Sequence, residues 1–476
     1  MHPRPRFSRA KIVATLGPAS DTTATITALL RAGMDVARLN FSHGDHAWHA
    51  RTIRRLRAAA RRLGRSVAVI ADLPGPKIRT GTLAGGGPVL LRSGSLVRLV
   101  GRDVEGNAGR IGITFTRLAR DVRPGDRILL SDGLIGLQVQ SRSRGEVVCR
   151  VVHGGALREH QGVNLPGARL HIAALTGADK RHLRFALEQE VDYVAQSFVR
   201  RAADVTALKR LIAAAGHDTP VLAKIEKPEA LANLDAILGV ADGVMVARGD
   251  LGVEMSPETV PVAQKRIIAR ANALRRPVIT ATQMLESMID SPRPTRAEAS
   301  DVANAVFDGT DALMLSGETA SGRHPIEAVA MMDRIIAEAE AAVERAKYRR
   351  RDEGLLSVPE TLAEAAARAT DHLKMRGLAV CTESGGTARL VSKWRPSVPI
   401  VAFCRHRAVR RRMALYWGVV PRRIGRARGL ERLTQEAVRR LREEGYVRPG
   451  DRIGILAGSL FGRPGATNLF TIVDVT

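Results

Sequence analysis

From residue 11 the chain alternates short apolar runs with stretches in which apolar residues recur every three or four positions. The runs at 11–17, 36–42, 67–73, 193–199, 220–226, 243–248, 277–282 and 312–316 are continuous rather than alternating, the mark of strands buried on both faces. Between them, stretches such as TTATITALLRAG and HAWHARTIRRLRAAARRLG carry helical spacing. Eight strands, each followed by a helix, predict an α/β fold of the closed (β/α)8 type, the TIM barrel, with a doubly wound open sheet as the alternative.

One interval breaks the rhythm. Between residues 76 and 173 the texture becomes PVLLRSGSLVRLV, RILLSDGLIGLQV and EVVCRVV, short β-rich runs separated by Gly and Asp turns. This predicts a β domain inserted in a barrel loop, on the face where such barrels keep their sites, and therefore a lid. The charged segment RAKYRRRDEG at 345–354 marks a second boundary, after which α/β alternation resumes. The expected division is 1–75 with 174–344 as barrel, 76–173 as lid and 345–476 as a C-terminal α/β domain.

Two of the runs, VLAKIEKP at 221–228 and GVMVARGDLGVE at 243–254, end in opposed charges. Burying such ions costs several kcal/mol each unless they are paired or put to use. The other strand ends are polar as well: Arg38, Asn40, Ser42 and His43 after the second, Asp72 after the third, Thr280 and Thr282 at the seventh, Ser316 and Glu318 at the eighth. In a barrel these positions gather on the catalytic face.

Composition narrows the chemistry. Ten lysines stand against 64 arginines, spread along the whole chain, and aromatic residues make up 3%. That pattern lacks the clustered basic and aromatic surface of a dedicated nucleic-acid binder, so no specific nucleic acid is expected. No run reaches the roughly 18 apolar residues of a membrane span, and no apolar signal core precedes the first strand. Cys149, Cys381 and Cys404 are widely spaced and form no metal or redox pattern, which fits a reducing cytoplasm. The carboxylates Glu226 and Asp250, without His or Cys ligands, suit a hard oxygen-loving ion, magnesium or manganese. Arg38, Arg79 and Lys224 would oppose several negative oxygens, as phosphoryl transfer requires. The chain has neither a Gly-Lys dipeptide nor a protein-kinase HRD or DFG set, so any nucleotide is held by other means.

The segments VARLNFSHG (36–44), AKIEKPEAL (223–231), DGVMVARGDLGVE (242–254), TATQMLESM (280–288), PTRAEASDVANAVFDGTDALMLSGETA (294–320) and SKWRP (392–396) resemble the pyruvate kinases. The resemblance implies a barrel with an inserted β lid and a C-terminal regulatory domain, in a cytoplasmic homotetramer. It implies transfer of a phosphoryl group from phosphoenolpyruvate to ADP, giving pyruvate and ATP in the last step of glycolysis. By motif position, Glu226 and Asp250 would bind magnesium, Lys224 would lie on the transferring phosphoryl group and Arg38 would hold the phosphate. Ala247, Gly249 and Asp250 would meet the substrate carboxylate with backbone N–H groups, and Thr282 would aid protonation of enolpyruvate through a water. Asn40, His43, Arg79 and Arg201 match the nucleotide side.

Two departures from the family pattern carry expectations of their own. The family commonly supports a potassium ion with groups equivalent to Asn40, Ser42, Asp72 and the carbonyl of residue 73. Here Leu73 replaces a Thr, and Lys77 stands where Glu is usual, so the Lys77 ammonium is expected to make potassium dispensable. In the C-terminal domain, TESGGTA at 382–388 is similar to the family's effector-phosphate loop, with Thr382, Ser384 and Thr387 as candidate hydroxyls. Gly386 occupies a place that is often basic. A phosphate-bearing effector, such as a sugar phosphate or AMP, is expected there. The rival enzyme reading is a magnesium-dependent barrel lyase or aldolase working through a pyruvate enolate, which needs no nucleotide side, lid or third domain.

Overall fold

The computed structural model describes residues 8–168, 171–343, 356–425, 429–458 and 465–476; the expected boundary segment at 345–354 lies outside them. Eight parallel strands close into a barrel: Lys11–Thr15, Met34–Asn40, Ala68–Leu73, Tyr193–Gln196, Val221–Ile225, Gly243–Ala247, Val278–Ala281 and Ala312–Leu315. The first pairs with the eighth, Lys11 opposite Ala312, which excludes the open sheet. Successive side chains alternate between two apolar environments. Inside, Val13, Val36, Ile70, Tyr193, Leu222, Met245, Ile279 and Met314 fill the barrel, while Ile12, Ala37 and Val69 face the surrounding helices. Burial on both faces is why these strands read as unbroken apolar runs.

The lid is a six-stranded sheet, with Ile135–Ser143 and Glu146–His153 at its centre, beside a two-stranded ribbon. It has its own apolar core around Val97, Leu99, Ile128, Leu137 and Val147. Both chain crossings into the lid meet one buried carboxylate. Asp179 accepts the N–H of Gly75 at 3.0 Å on the way in and that of Thr176 at 2.7 Å on the way out. Asp179 also completes the cap of the helix Gly177–Glu188. Gly75 sits at φ +68°, and a Cβ there would lie 2.7 Å from the Phe198 ring, so both backbone sterics and packing require glycine.

The C-terminal sheet runs Val419–Arg423, Ile400–Cys404, Gly377–Cys381, Arg452–Gly458, Thr467–Asp474, with the last strand antiparallel. Ala414 and Leu415 of this domain join the apolar cluster inside the barrel, and the Tyr193 hydroxyl donates to the Arg412 carbonyl at 2.8 Å. The contact is fixed by buried ions. Asp311 binds Arg395 at 3.0 Å and also Lys393, and Asp192 binds Arg411 at 2.7 Å. Among the described residues no helix is long and apolar enough to cross a membrane, and Cys149, Cys381 and Cys404 are free thiols.

One buried histidine makes the barrel sensitive to acid. His49 stacks on Phe41 at 4.3 Å, and its Nε2 donates to the His43 carbonyl at 3.0 Å. Burial lowers its pKa to about 4. An unfolded histidine titrates near 6.5, so between those values the unfolded chain binds the additional proton. The stability this contributes is fully present above about pH 6.5 and is lost as pH falls toward 4. The variant His49→Gln keeps a donor without the titration. Thermal melts across that window should fall less steeply for the variant than for the parent; parallel curves would remove His49 as the cause.

Candidate active site

The catalytic face forms where the carboxyl ends of the barrel strands bring cations and carboxylates together. Arg38 leaves the second strand and donates from Nε to Asp72 at 2.7 Å and from a terminal nitrogen to the Thr15 hydroxyl at 3.1 Å. Lys224, from the fifth strand, places its ammonium 2.8 Å from Glu226, 3.4 Å from Asp72 and 2.8 Å from the Ser197 hydroxyl. Ser197 in turn donates to the Leu73 carbonyl at 2.8 Å. Glu226 is oriented from its other oxygen by the Phe198 N–H at 2.9 Å. The expected members Arg38, Asp72, Lys224 and Glu226 thus form one connected cluster. Ser197 and Phe198 were missed, although the polar Ser at the end of YVAQSFV was the same kind of signal as the other polar strand ends.

Electrostatics bind the cluster together. Burial alone would lower the Lys224 pKa, but Asp72, Glu226 and Asp250 more than offset this and leave it raised. Burial raises Glu226 against the pull of Lys224, and Asp250 adds like-charge repulsion in the same direction. Burial also acts to raise Asp72, yet Lys224, Arg38 and Lys77 leave it below the ordinary carboxylate range. A carboxylate raised by burial and by a carboxylate beside it, as Glu226 is, makes a donor set that a divalent cation relieves. Glu226 and Asp250 fit such an ion. Among the described residues there is no group of three or more His, Cys, Asp or Glu placed to hold a metal. A cation held by these two carboxylates keeps positions for water and substrate oxygens.

Thr282 is held in a strained position. It and Gln283 adopt φ +70° and +53°, a left-handed conformation uncommon outside glycine, most of all for β-branched Thr282, and costing of order 1–3 kcal/mol each. Arg248, anchored on Asp301 at 2.6 Å, donates to the Thr282 carbonyl at 2.6 Å and the Gln283 carbonyl at 3.1 Å. The Thr282 hydroxyl accepts the Gly249 N–H at 2.8 Å. The expected Gly249 N–H thus lies on the Thr282 hydroxyl, beside the end of the sixth strand. Ala247 lies buried at the strand end, while Asp250 is exposed in the first turn of Arg248–Glu254. Glu318 is also a brace, with its carboxylate on the N–H groups of Leu285 at 3.1 Å and Ser316 at 2.7 Å.

The nucleotide-side residues are less tightly gathered. Asn40 turns its side-chain oxygen to the Ser42 N–H at 3.1 Å. Arg79 reaches the His160 carbonyl at 2.9 Å within the lid. Burial lowers the His43 pKa, and the neighbouring cations Lys77, Arg79 and Arg38 lower it further, placing the four in one positive field. Lys77 is exposed. Arg201 stands apart at a helix start, 73% exposed, 3.8 Å from Asp204. The lid closes over this face through Asn164, whose amide donates to Glu254 at 3.1 Å beside the Lys227–Glu254 pair at 2.7 Å.

In the C-terminal loop two of the candidate hydroxyls accept backbone N–H groups of the loop itself, Ser384 from an exposed position and Thr382 from a half-buried one. Thr382 accepts the Gly385 N–H at 3.0 Å and Ser384 the Gly386 N–H at 3.4 Å. Thr387 is buried against the Thr467 hydroxyl. Glu383 adds a carboxylate to the loop, 3.3 Å from Arg405 and 3.0 Å from His406.

Comparison with known proteins agrees with this geometry. Residues 7–329 match the pyruvate kinase barrel domain and residues 360–473 the pyruvate kinase alpha/beta domain. A pyruvate kinase from Geobacillus stearothermophilus is 44% identical over 98% of this chain and 80% of its own. Pyruvate kinase 2 from Synechocystis is 46% identical over 99% of this chain and 79% of its own. A solved pyruvate kinase from Cryptosporidium parvum superposes with a TM-score of 0.94 at 36% identity, covering 98% of this chain and 96% of that one. The lyase or aldolase alternative finds no support in these relatives, and the chain belongs to the pyruvate kinase family.

Proposed function

We propose that this chain transfers the phosphoryl group of phosphoenolpyruvate to ADP, giving pyruvate and ATP. The observation that carries the residue assignment is the Lys224 ammonium held between Asp72 and Glu226. In that place it faces the transferring phosphoryl group and stabilises charge that grows in the transition state. Arg38, fixed by Asp72, holds the phosphate as well. Glu226 and Asp250 would hold magnesium or manganese, which would neutralise charge on the substrate oxygens. Thr282, locked by Arg248 and Gly249, positions the water that protonates the enol carbon. Asn40, His43, Arg79 and Arg201 take the nucleotide, with Arg79 carried by the lid.

Potassium is dispensable in this reading. Lys77 contributes to the field that keeps Asp72 ionised, as a monovalent ion at the Asn40, Ser42, Asp72 and Leu73 groups would. Coupled measurement of ATP formation tests both parts. The parent should retain most of its activity without monovalent cations, whereas Lys77→Glu should lose at least roughly ten-fold until potassium is added. Collapse of the parent without potassium would overturn the role of Lys77, and no ATP under any condition would overturn the reaction. The homotetramer, a cytoplasmic setting and a phosphorylated effector at Thr382 and Ser384 belong to the same reading. The three free thiols support the setting.

A further inference from the structure

A cavity of about 210 Å³ lies between the barrel and the C-terminal domain, opening beside the end of helix His46–Arg62. The barrel contributes Arg57, Arg61 and Arg65 to its wall. Facing them are Arg407, Arg410 and Arg411 from one short helix, then Arg422 and Arg423 from the edge strand Val419–Arg423. Eight of the thirteen lining residues are arginine, against 64 of 476 in the whole chain, and none is acidic. The general arginine richness of this sequence therefore does not account for the concentration here.

The charges are only partly answered. Asp192 lies behind the wall and is shared by Arg57 and Arg411 at 2.7 Å each, and Asp35 holds Arg65 at 3.0 Å. Arg422 pairs with Glu444, and Arg410 donates to the carbonyls of Cys404 at 2.8 Å and Arg405 at 2.6 Å. Arg61, Arg407 and Arg423 have no side-chain hydrogen bond or ion pair among the described residues. Arg411, 7% exposed, forms the fixed floor of the site. The crowding is felt by its members. Burial lowers the Arg57 pKa, with Arg411 and Arg407 adding to it against the pull of Asp192.

We propose that this cavity binds a small phosphate-bearing anion that bridges the barrel and the C-terminal domain. Guanidinium forks match phosphoryl oxygens in pairs, which explains arginine at position after position. The volume falls below the roughly 300–1,000 Å³ of drug-sized sites, and no aromatic platform lines it, so a compact anion fits better than a nucleic-acid strand. The site is separate from the 382–388 loop, no residue of which lines the cavity.

Calorimetric titration of the full chain with inorganic pyrophosphate, without divalent cations, tests the proposal. The parent should bind saturably. Arg61→Glu with Arg407→Glu, at two exposed positions, should weaken binding at least ten-fold with no change in basal turnover. Arg92→Glu with Arg98→Glu on the lid, the same charge change elsewhere, should alter it less than two-fold, as should Ser384→Ala in the loop. Absence of saturable binding, equal loss in the lid variant, or loss with Ser384→Ala would each overturn the assignment. Tighter binding of a single-stranded oligonucleotide that displaces pyrophosphate would do so as well. Because binding is read directly, none of these results bears on the kinase reaction.

Discussion

Lys224→Met should reduce ATP formation by roughly 10³-fold or more while the barrel remains folded. The ammonium stands at the centre of the site, within 3.4 Å of both Asp72 and Glu226, and methionine replaces its volume without its charge. Two consequences must be separated. The chemical one is loss of a fixed cation where charge builds on the phosphoryl group, and it appears in kcat. The structural one is the loss of Glu226's partner, since breaking a buried pair costs about 3–5 kcal/mol. Glu226 can escape part of that cost, because burial and Asp250 already favour its protonated form, and Asp72 keeps Arg38. Circular dichroism should therefore report a folded, somewhat less stable protein. Turnover within ten-fold of the parent would remove Lys224 from the chemistry.

The largest stability effect is expected at the interface between domains, from Asp311→Ala. Asp311 is 1% exposed and accepts from Lys393, from Arg395 at 3.0 Å and from the Val278 N–H at 2.8 Å. Alanine leaves two buried cations and a buried amide without their shared acceptor. Arg395 retains its stacking over Trp417 at 4.6 Å, but the uncompensated charge costs on the order of 3–5 kcal/mol. Urea unfolding should show the first transition shifted by that amount. A shift below about 1 kcal/mol would mean that water enters and solvates the pair, and that the interface rests on its apolar contacts.

The barrel was legible because burial on both faces keeps the middle of most strands apolar, with charge confined to their ends. VARLN and VLAKI show the change from apolar to charged within one residue of the strand's last turn toward the site. The same logic exposed Arg38, Asp72, Lys224 and Glu226. It failed where function passes through backbone: the Phe198 N–H that orients Glu226 and the Leu73 carbonyl that anchors Ser197 have no sequence signature. Nor does a matching residue reveal its local partners, such as the Thr282 hydroxyl on the Gly249 N–H or the Thr467 hydroxyl beside Thr387. The arginine cavity was hidden for a different reason. Its walls are more than 340 residues apart in the chain at Arg65 and Arg407, and a uniform excess of arginine masks any local one.

The single carboxylate of Asp179, holding the chain both where it leaves the barrel and where it returns, has a consequence for ancestry and engineering. An insertion whose two ends are clasped at one point imposes no separation on its host. The barrel needs only a short connector there, so the lid can be deleted, exchanged or enlarged as a cassette without reshaping the strands beneath it.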